Sequence, residues 1–173
     1  MIRKILPLLF FISIDCYSQQ YIANDGEITF FSYAPIEDIK AVNKKVSAAF
    51  DISNNDIVFQ LYISDFNFRK KLMQTHFNEN YLESDIYPKA NFVGKVFALE
   101  EDSAVVRGLL TIHGVSKEIE ANGMFIKNNN SIKISSEFNV KLEDYNVSIP
   151  TIVMYKIAEE ILVNVEIKLN SKR

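Results

Sequence analysis

Apolar and polar residues alternate, one position after the other, along most of the chain. In residues 131–142 every second residue is apolar or small, and the residues between them are polar or charged. Residues 161–169 repeat this period of two, with Leu162 as the exception on the polar side. Such alternation is typical of antiparallel strands that bury one face. The predicted inward residues of these two stretches are Ile132, Ile134, Ser136, Phe138, Val140, Leu142, Ile161, Val163, Val165, Ile167 and Leu169.

Three earlier stretches have the same period, and they start at Val46, Ile57 and Val106. Short turn-forming runs separate the stretches, at residues 53–56, 100–103, 113–114 and 128–130. Runs of this composition between two strands are typical hairpin connections. Strands that recur at close spacing with few helices predict an all-β fold, either a sandwich or a barrel.

Two segments interrupt the alternation. Residues 35–42 open with Pro35 and early acids, so a turn of helix or an irregular segment is expected there. Residues 69 to about 80 place Leu72, Met73, His76 and Phe77 on one side at helical spacing. The second segment therefore predicts one short helix within an otherwise all-β chain.

The N-terminus has the three parts of a secretory signal peptide. Arg3 and Lys4 are basic, residues 5–14 are almost wholly apolar, and small residues precede Gln19. The apolar run is shorter than the roughly 20 residues that a membrane span requires. We therefore predict a signal peptide at residues 1–18 and one exported domain at residues 19–173, periplasmic or secreted. Lipoprotein processing at Cys16 is the alternative, although Asp15 fits poorly before such a cysteine.

Charge and cysteine content exclude several classes of function. Removal of Arg3, Lys4 and Asp15 with the signal peptide changes the net charge from −3 to −4. Nucleic-acid binding needs a basic patch or stripe, so no nucleic-acid partner is expected. No later apolar run is long enough for stable membrane insertion. The only cysteine leaves with the signal peptide, which removes thiol chemistry and disulfides from the mature domain.

The sequence offers little that could carry catalysis. His76 and His113 are the only histidines, and they lie on different predicted elements, unlike the i, i+4 pair of helical zinc sites. His113 falls in a predicted tight hairpin, which favours a structural role. For His76 a half-buried position in the core is favoured, with a ligand-facing role as the alternative. We predict no catalytic residue, no metal site and no cofactor.

Several motifs resemble those of the YceI-like family of lipid-binding proteins. They are the helical segment at residues 68–78 with Met73 and His76-Phe77, Tyr87-Pro88, Phe92-Val93-Gly94, residues 110–115, Asp144-Tyr145 and Ile149-Pro150. This resemblance implies a closed antiparallel lipocalin-like β-barrel of about eight strands, with the short helix near one end. It also implies that the barrel holds a long apolar molecule such as a polyisoprenoid, a quinone or a fatty acid. The opening strand, residues 27–39, departs from the family pattern and is bulkier.

The chain has thirteen phenylalanines and no tryptophan. A barrel of about eight strands has room either for its own side chains or for one small ligand. Small residues such as Gly94, Gly108, Gly123, Ala48 and Ser136 favour the open lumen, and a filled core is the alternative. The expected ligand-binding residues are Phe50, Phe59, Leu61, Phe66, Phe68, Met73, His76, Phe77, Phe92, Leu110, Ile112 and Phe138.

Three consecutive cations, Arg69, Lys70 and Lys71, open the predicted helix. A helix N-terminus is already partly positive, so an anionic headgroup would relieve the repulsion there. The alternative is a solvated basic turn that Asp65 or neighbouring acids counter.

Three hypotheses for function follow. The first is an exported carrier, store or scavenger of an apolar small molecule. The second is a filled barrel that acts as a structural or protein-interaction module, for which exposed Val58, Tyr62, Phe97 or Leu162 would have to form one patch. The third is an enzyme acting on a lipid through one of the two histidines. A homodimer is left open as a further partner.

Overall fold

The computed structural model describes residues 19–33, 38–148 and 158–172, with the backbone alone at residues 98 and 99. The predicted signal peptide (1–18), residues 35–37 and Ile149-Pro150 lie outside these ranges. In the described part of the chain, no helix has the length and apolar composition that crossing a membrane requires. The described strands are β1 (Gln20–Ser32), β2 (Ile39–Asp51), β3 (Asp56–Tyr62), β4 (Asn67–Phe68), β5 (Lys89–Glu100), β6 (Ser103–Ile112), β7 (Val115–Lys127), β8 (Ser131–Lys141) and β9 (Glu160–Ser171).

Eight of these strands close into a barrel. Each pairs antiparallel with its neighbours in the order β1, β9, β8, β7, β6, β5, β3, β2, and β1 pairs with β2 to complete the ring. The two-residue strand β4 adds to β2 through the pairs Ala41–Phe68 and Val42–Asn67. The predicted all-β barrel of about eight strands is confirmed.

The period of two places one set of side chains inside the barrel. In β8, Ile132 and Ile134 are buried and Lys133 between them is exposed. Tyr21, Phe50, Ile132 and Leu169 are fully buried. These four lie near the barrel end that carries the turns after β2 and β7, which we call the hairpin end. The opposite end, with the turn at residues 113–114, is the helix end.

The expectation for residues 35–42 is wrong where it can be compared, because Ile39 and the three residues after it belong to β2. The start of β2 was not predicted because Asn43 is polar and yet fully buried, so it interrupts the alternation of apolar and polar residues. A buried asparagine is tolerated in β2 because both the nitrogen and the oxygen of its side-chain amide form hydrogen bonds. Asn43 Nδ2 donates to the carbonyl of Tyr62 at 2.9 Å, and its Oδ1 accepts from the backbone N–H of Lys45 at 2.9 Å.

The predicted helix is present with different bounds. It begins as α1 (Lys71–His76) and continues as a π-helical turn over Phe77–Tyr81. Lys70 is still extended, with φ −106° and ψ 121°, so the helix starts two residues later than predicted. Residues 71–82, which we call the helical cap, are anchored by buried Phe77 and Leu82. The ring of Phe77 lies 5.3, 5.6 and 4.9 Å from the rings of Phe30, Phe66 and Phe68.

Candidate functional site

The barrel encloses a cavity of about 180 Å³, which we call the lumen. All eight barrel strands contribute to its wall, and Phe77 and Leu82 of the helical cap contribute at the helix end. One water molecule needs about 10–15 Å³, so the lumen is far larger than a packing defect. Its surface is almost entirely carbon, and no charged side chain of the described residues lines it.

Eight of the twelve expected ligand-binding residues line the lumen. They come from strands on opposite sides of the barrel and from the helix end, and they are Phe59, Leu61, Phe66, Phe77, Phe92, Leu110, Ile112 and Phe138. The other four, Phe50, Phe68, Met73 and His76, lie outside its wall. Phe50 instead packs edge-on against Phe125 at a ring distance of 5.1 Å.

The residues on one side of the predicted helix only partly belong to the lumen wall. Phe77 reaches the lumen, whereas Met73, one turn earlier, is partly buried without reaching it. Phe68 packs against Phe30 and Phe77 rather than facing the cavity. The interpretation of His76 as a half-buried core residue was wrong, because it is exposed and its Nδ1 lies 3.0 Å from Oδ1 of Asn80.

The expected role of two glycines also needs correction. Gly94 and Gly108 face the barrel interior, but the ring of Phe92 covers both of them, so the space they leave is already occupied. Gly123 lies beside Ser136, whose Cβ would be 3.1 Å from a Cβ added at Gly123. Gly94 and Gly108 are therefore not part of the lumen wall, whereas Gly123 and Ser136 are part of it, as the sequence predicted.

Sequence reasoning did not single out several lining residues. Val163 and Val165 were predicted to point inward, and the alternation that placed them was the available signal. Tyr145 and Val147 had no such signal, because they follow β8 in a 3₁₀ turn, Leu142–Tyr145, and the segment after it. Burial raises the pKa of the Tyr145 phenol, and the neighbouring Asp144 carboxylate raises it further. The phenol therefore stays uncharged at neutral pH.

At the helix end, the side chain of His113 contacts residues from two other segments of the chain, 83–87 and 142–145, and so connects three segments. Its Nδ1 donates to the carbonyl of Tyr145 at 3.2 Å, and its Nε2 lies 2.8 Å from Oε2 of Glu83. The ring of Tyr87 meets the imidazole edge-on at 4.4 Å. With φ of 50° at His113 and 75° at Gly114, the two residues form the tight hairpin that the sequence predicted. Its contacts are those of a structural residue.

We expect His113→Ala to lower the free energy of unfolding by about 1–3 kcal/mol, because the substitution leaves two hydrogen-bonding groups without a buried partner. The exposed His76 is the matched control, and His76→Ala should cost about 0.5 kcal/mol or less. Urea unfolding of both variants measures the difference. Equal losses would show that His113 does not hold the helix end.

The three cations at the start of the helix lie outside the lumen. Arg69, Lys70 and Lys71 are all exposed. Asp65, one of the acids suggested to counter them, pairs with Lys45 at 2.7 Å. Within residues 19–33, 38–148 and 158–172, no three His, Cys, Asp or Glu side chains are grouped so that they could hold a metal ion.

A closed antiparallel barrel around an apolar lumen is the architecture of lipocalin-like proteins. The YceI-like domain family matches residues 22–169, which is most of the chain. The chain therefore belongs to the YceI-like domain family. Comparison with curated proteins gives no match.

Solved structures with this fold include three from different bacteria. BcnA of Burkholderia cenocepacia is 17% identical, with a TM-score of 0.74 over 83% of this chain and 95% of that one. A polyisoprenoid-binding domain from Saccharophagus degradans, implicated in plant cell wall breakdown, is 14% identical, with a TM-score of 0.76 over 90% and 100%. The Campylobacter jejuni YceI protein is 23% identical, with a TM-score of 0.68 over 82% and 90%. At these identities the likeness shows a shared fold.

Proposed function

We propose that this protein binds a long apolar molecule inside its barrel and serves as a carrier, store or scavenger. The observation that carries the proposal is the carbon-lined lumen of about 180 Å³, to which every barrel strand contributes. The polyisoprenoid binding stated for the Saccharophagus degradans domain supports the same ligand class for this chain. A polyisoprenoid, a quinone and a fatty-acid-like lipid all have the apolar chain that such a lumen would accept.

Burial of hydrocarbon supplies the energy for this function. Each methylene moved out of water is worth about 0.8 kcal/mol, so ten contribute about 8 kcal/mol before the costs of association. Water would gain little inside the lumen, because it needs two to four polar partners and the wall offers almost none. The expected binding is tight and weakly selective for the chemistry of the chain.

A charged headgroup would stay outside the lumen. The wall carries no charged side chain among the described residues, so an anionic group buried there would have no partner. Exposed Arg69, Lys70 and Lys71, at the start of the helical cap, are the cations proposed to meet it. A cargo without a headgroup would need none of them.

The proposed compartment is the periplasm or the cell exterior, because the first 18 residues have the pattern of a signal peptide. We also propose that the protein is not an enzyme. Neither histidine lines the lumen, and no nucleophile with an adjacent base is found among the lining residues.

The proposal is tested by displacement of a fluorescent polyene fatty acid from the purified mature protein. The probe should bind with one site per chain and become strongly emissive in the apolar lumen. A polyprenol and a quinone should each displace it in competition. Absence of binding by the probe and by both competitors would contradict the proposed function.

A second candidate function, an interaction module, is favoured by the outer surface. Val58, Val93 and Leu109 are exposed and lie side by side on β3, β5 and β6, because strand register pairs Val58 with Val93 and Val93 with Leu109. Tyr62 and Phe97 are also exposed on this part of the barrel. Such a row suits contact with another protein or a second copy of the chain, and it requires no cargo in the lumen.

A further inference from the structure

The tip of the Phe92 ring lies against the barrel wall, over two glycines. Phe92 and Gly94 are two residues apart on β5 and therefore point to the same side of the sheet. Gly108 on β6 is the register partner of Gly94. A Cβ added at Gly94 would lie 2.6 Å from Cζ of Phe92, and one added at Gly108 would lie 2.8 Å from the same atom. The tip of the ring thus fills a recess that only this glycine pair leaves open.

The aromatic residue opposite Phe92 has no such recess. Phe59 on β3 is the register partner of Phe92, and their rings are 6.4 Å apart. Its neighbours on the same face are Ile57 and Leu61, whose side chains occupy the wall where glycines would leave space. Phe92 is therefore the ring of this pair that can lie along the wall.

The lumen continues on both sides of the glycine pair. Along β6 its wall includes Leu110 and Ile112 toward the helix end, and Val106 and Ala104 toward the hairpin end. From Ile112 to Ala104 the strand rises about 26 Å, or about 20 Å along the barrel axis at the usual tilt. Gly108 lies midway along this path. A ligand chain that fills the whole lumen must pass the point where the Phe92 ring lies over the glycine pair.

We propose that Phe92 determines how long an apolar chain the lumen accepts, which rests on the proposed function. With the ring on the glycine pair, the lumen is continuous from the helical cap to Ala104. A side chain at position 92 that is too large for the recess stands in the lumen instead. It then interrupts the lumen and leaves only part of its length for the cargo.

The test compares chain-length profiles of wild type, Phe92→Trp and Phe92→Leu. The ligands are straight-chain primary alcohols from octanol to octadecanol, measured by displacement of the fluorescent fatty acid. For wild type, affinity should rise by up to about fourfold per methylene until the lumen is full. Phe92→Leu removes the ring, so its affinity should keep rising at least up to the chain length at which wild type stops gaining. Phe92→Trp should stop gaining affinity several carbons earlier, because an indole exceeds the recess.

Phe97→Trp is the matched control, since Phe97 lies on the same strand as Phe92 and its side chain is 62% exposed on the outside of the barrel. It should keep the wild-type profile. A wild-type profile in Phe92→Trp would overturn the role of Phe92 and leave the proposed function intact. Failure of wild type to bind any alcohol would instead overturn the proposed function and this inference with it.

A second measurement needs no variant. Nuclear Overhauser contacts between the ring protons of Phe92 and the α-protons of Gly94 and Gly108 should be present in the free protein and persist with octadecanol bound. Loss of these contacts on binding would overturn the proposal, because the ring would then leave its recess when a long chain enters.

Discussion

Phe50→Ala is expected to lower the free energy of unfolding by about 3–5 kcal/mol, the usual cost of removing a packed phenylalanine. The side chain of Phe50 is 1% exposed, it packs edge-on against Phe125, and it lies outside the lumen wall. Its removal loses the transfer energy of the ring and also leaves a new cavity among residues that have little freedom to close it.

Phe59→Ala is the matched comparison for Phe50→Ala. Phe59 already faces the lumen, so its removal enlarges an existing cavity and costs mainly the transfer term, about 1.5–3 kcal/mol. Denaturant unfolding of the ligand-free proteins, with the slope m checked for two-state behaviour, measures both losses. If the two substitutions cost the same, the lumen is packed in solution and the barrel is filled.

Leu110→Gln is expected to weaken binding of the fluorescent fatty acid by about fivefold or more. Leu110 lines the lumen and is 9% exposed, so a bound chain would cover the new amide and leave it without a hydrogen-bond partner. That loss is worth about 1–3 kcal/mol, and each 1.4 kcal/mol changes affinity tenfold.

Leu109→Gln separates a lumen effect from a general effect of the substitution. Leu109 is the preceding residue on the same strand, its side chain points to the outside of the barrel, and it is 53% exposed. Its substitution should leave the dissociation constant unchanged within error. Equal weakening by both variants would mean that the probe binds the outer surface.

The alternation of apolar and polar residues predicted five of the eight barrel strands, β2, β3, β6, β8 and β9, whereas closure into a barrel was implied by the family resemblance. In β8 and β9 the inward set could be assigned residue by residue, because a period of two on one buried face leaves no other arrangement. It was insufficient for the start of β2, where buried Asn43 breaks the apolar set. Its amide bonds to the backbone of Tyr62, and a contact across 19 residues of sequence has no local signal.

The helix was predicted from its stripe, and its predicted end near residue 80 agrees with Tyr81, while its start lies two residues later than predicted. Side-chain spacing cannot show that Lys70 is extended or that the last turn is π-helical, because both are backbone conformations. In the structure Phe77 packs against the rings of Phe30, Phe66 and Phe68. The same ring cluster explains why Phe68 faces away from the lumen.

The residues of the lumen wall were predicted better than the extent of the cavity along the barrel. Inward parity correctly placed Phe59, Leu110 and Phe138 on the lumen wall. The alternation shows that a side chain points inward, but it does not show where along the barrel axis the side chain lies. Phe50 also points inward and was therefore assigned to the ligand site, although it packs in the core at the hairpin end. Composition suggested that Gly94 and Gly108 leave space, whereas only the rotamer of Phe92 decides which group uses that space.

Native mass spectrometry of the mature protein purified from its own envelope tests the central claim most directly. The expected result is a stoichiometric mass increment, and organic extraction should identify it as a polyisoprenoid, a quinone or another long-chain lipid. An unoccupied mass that stays unchanged after incubation with polyprenyl phosphates, quinones and fatty acids would contradict the proposal. It would favour a barrel that acts through the exposed row of Val58, Val93 and Leu109.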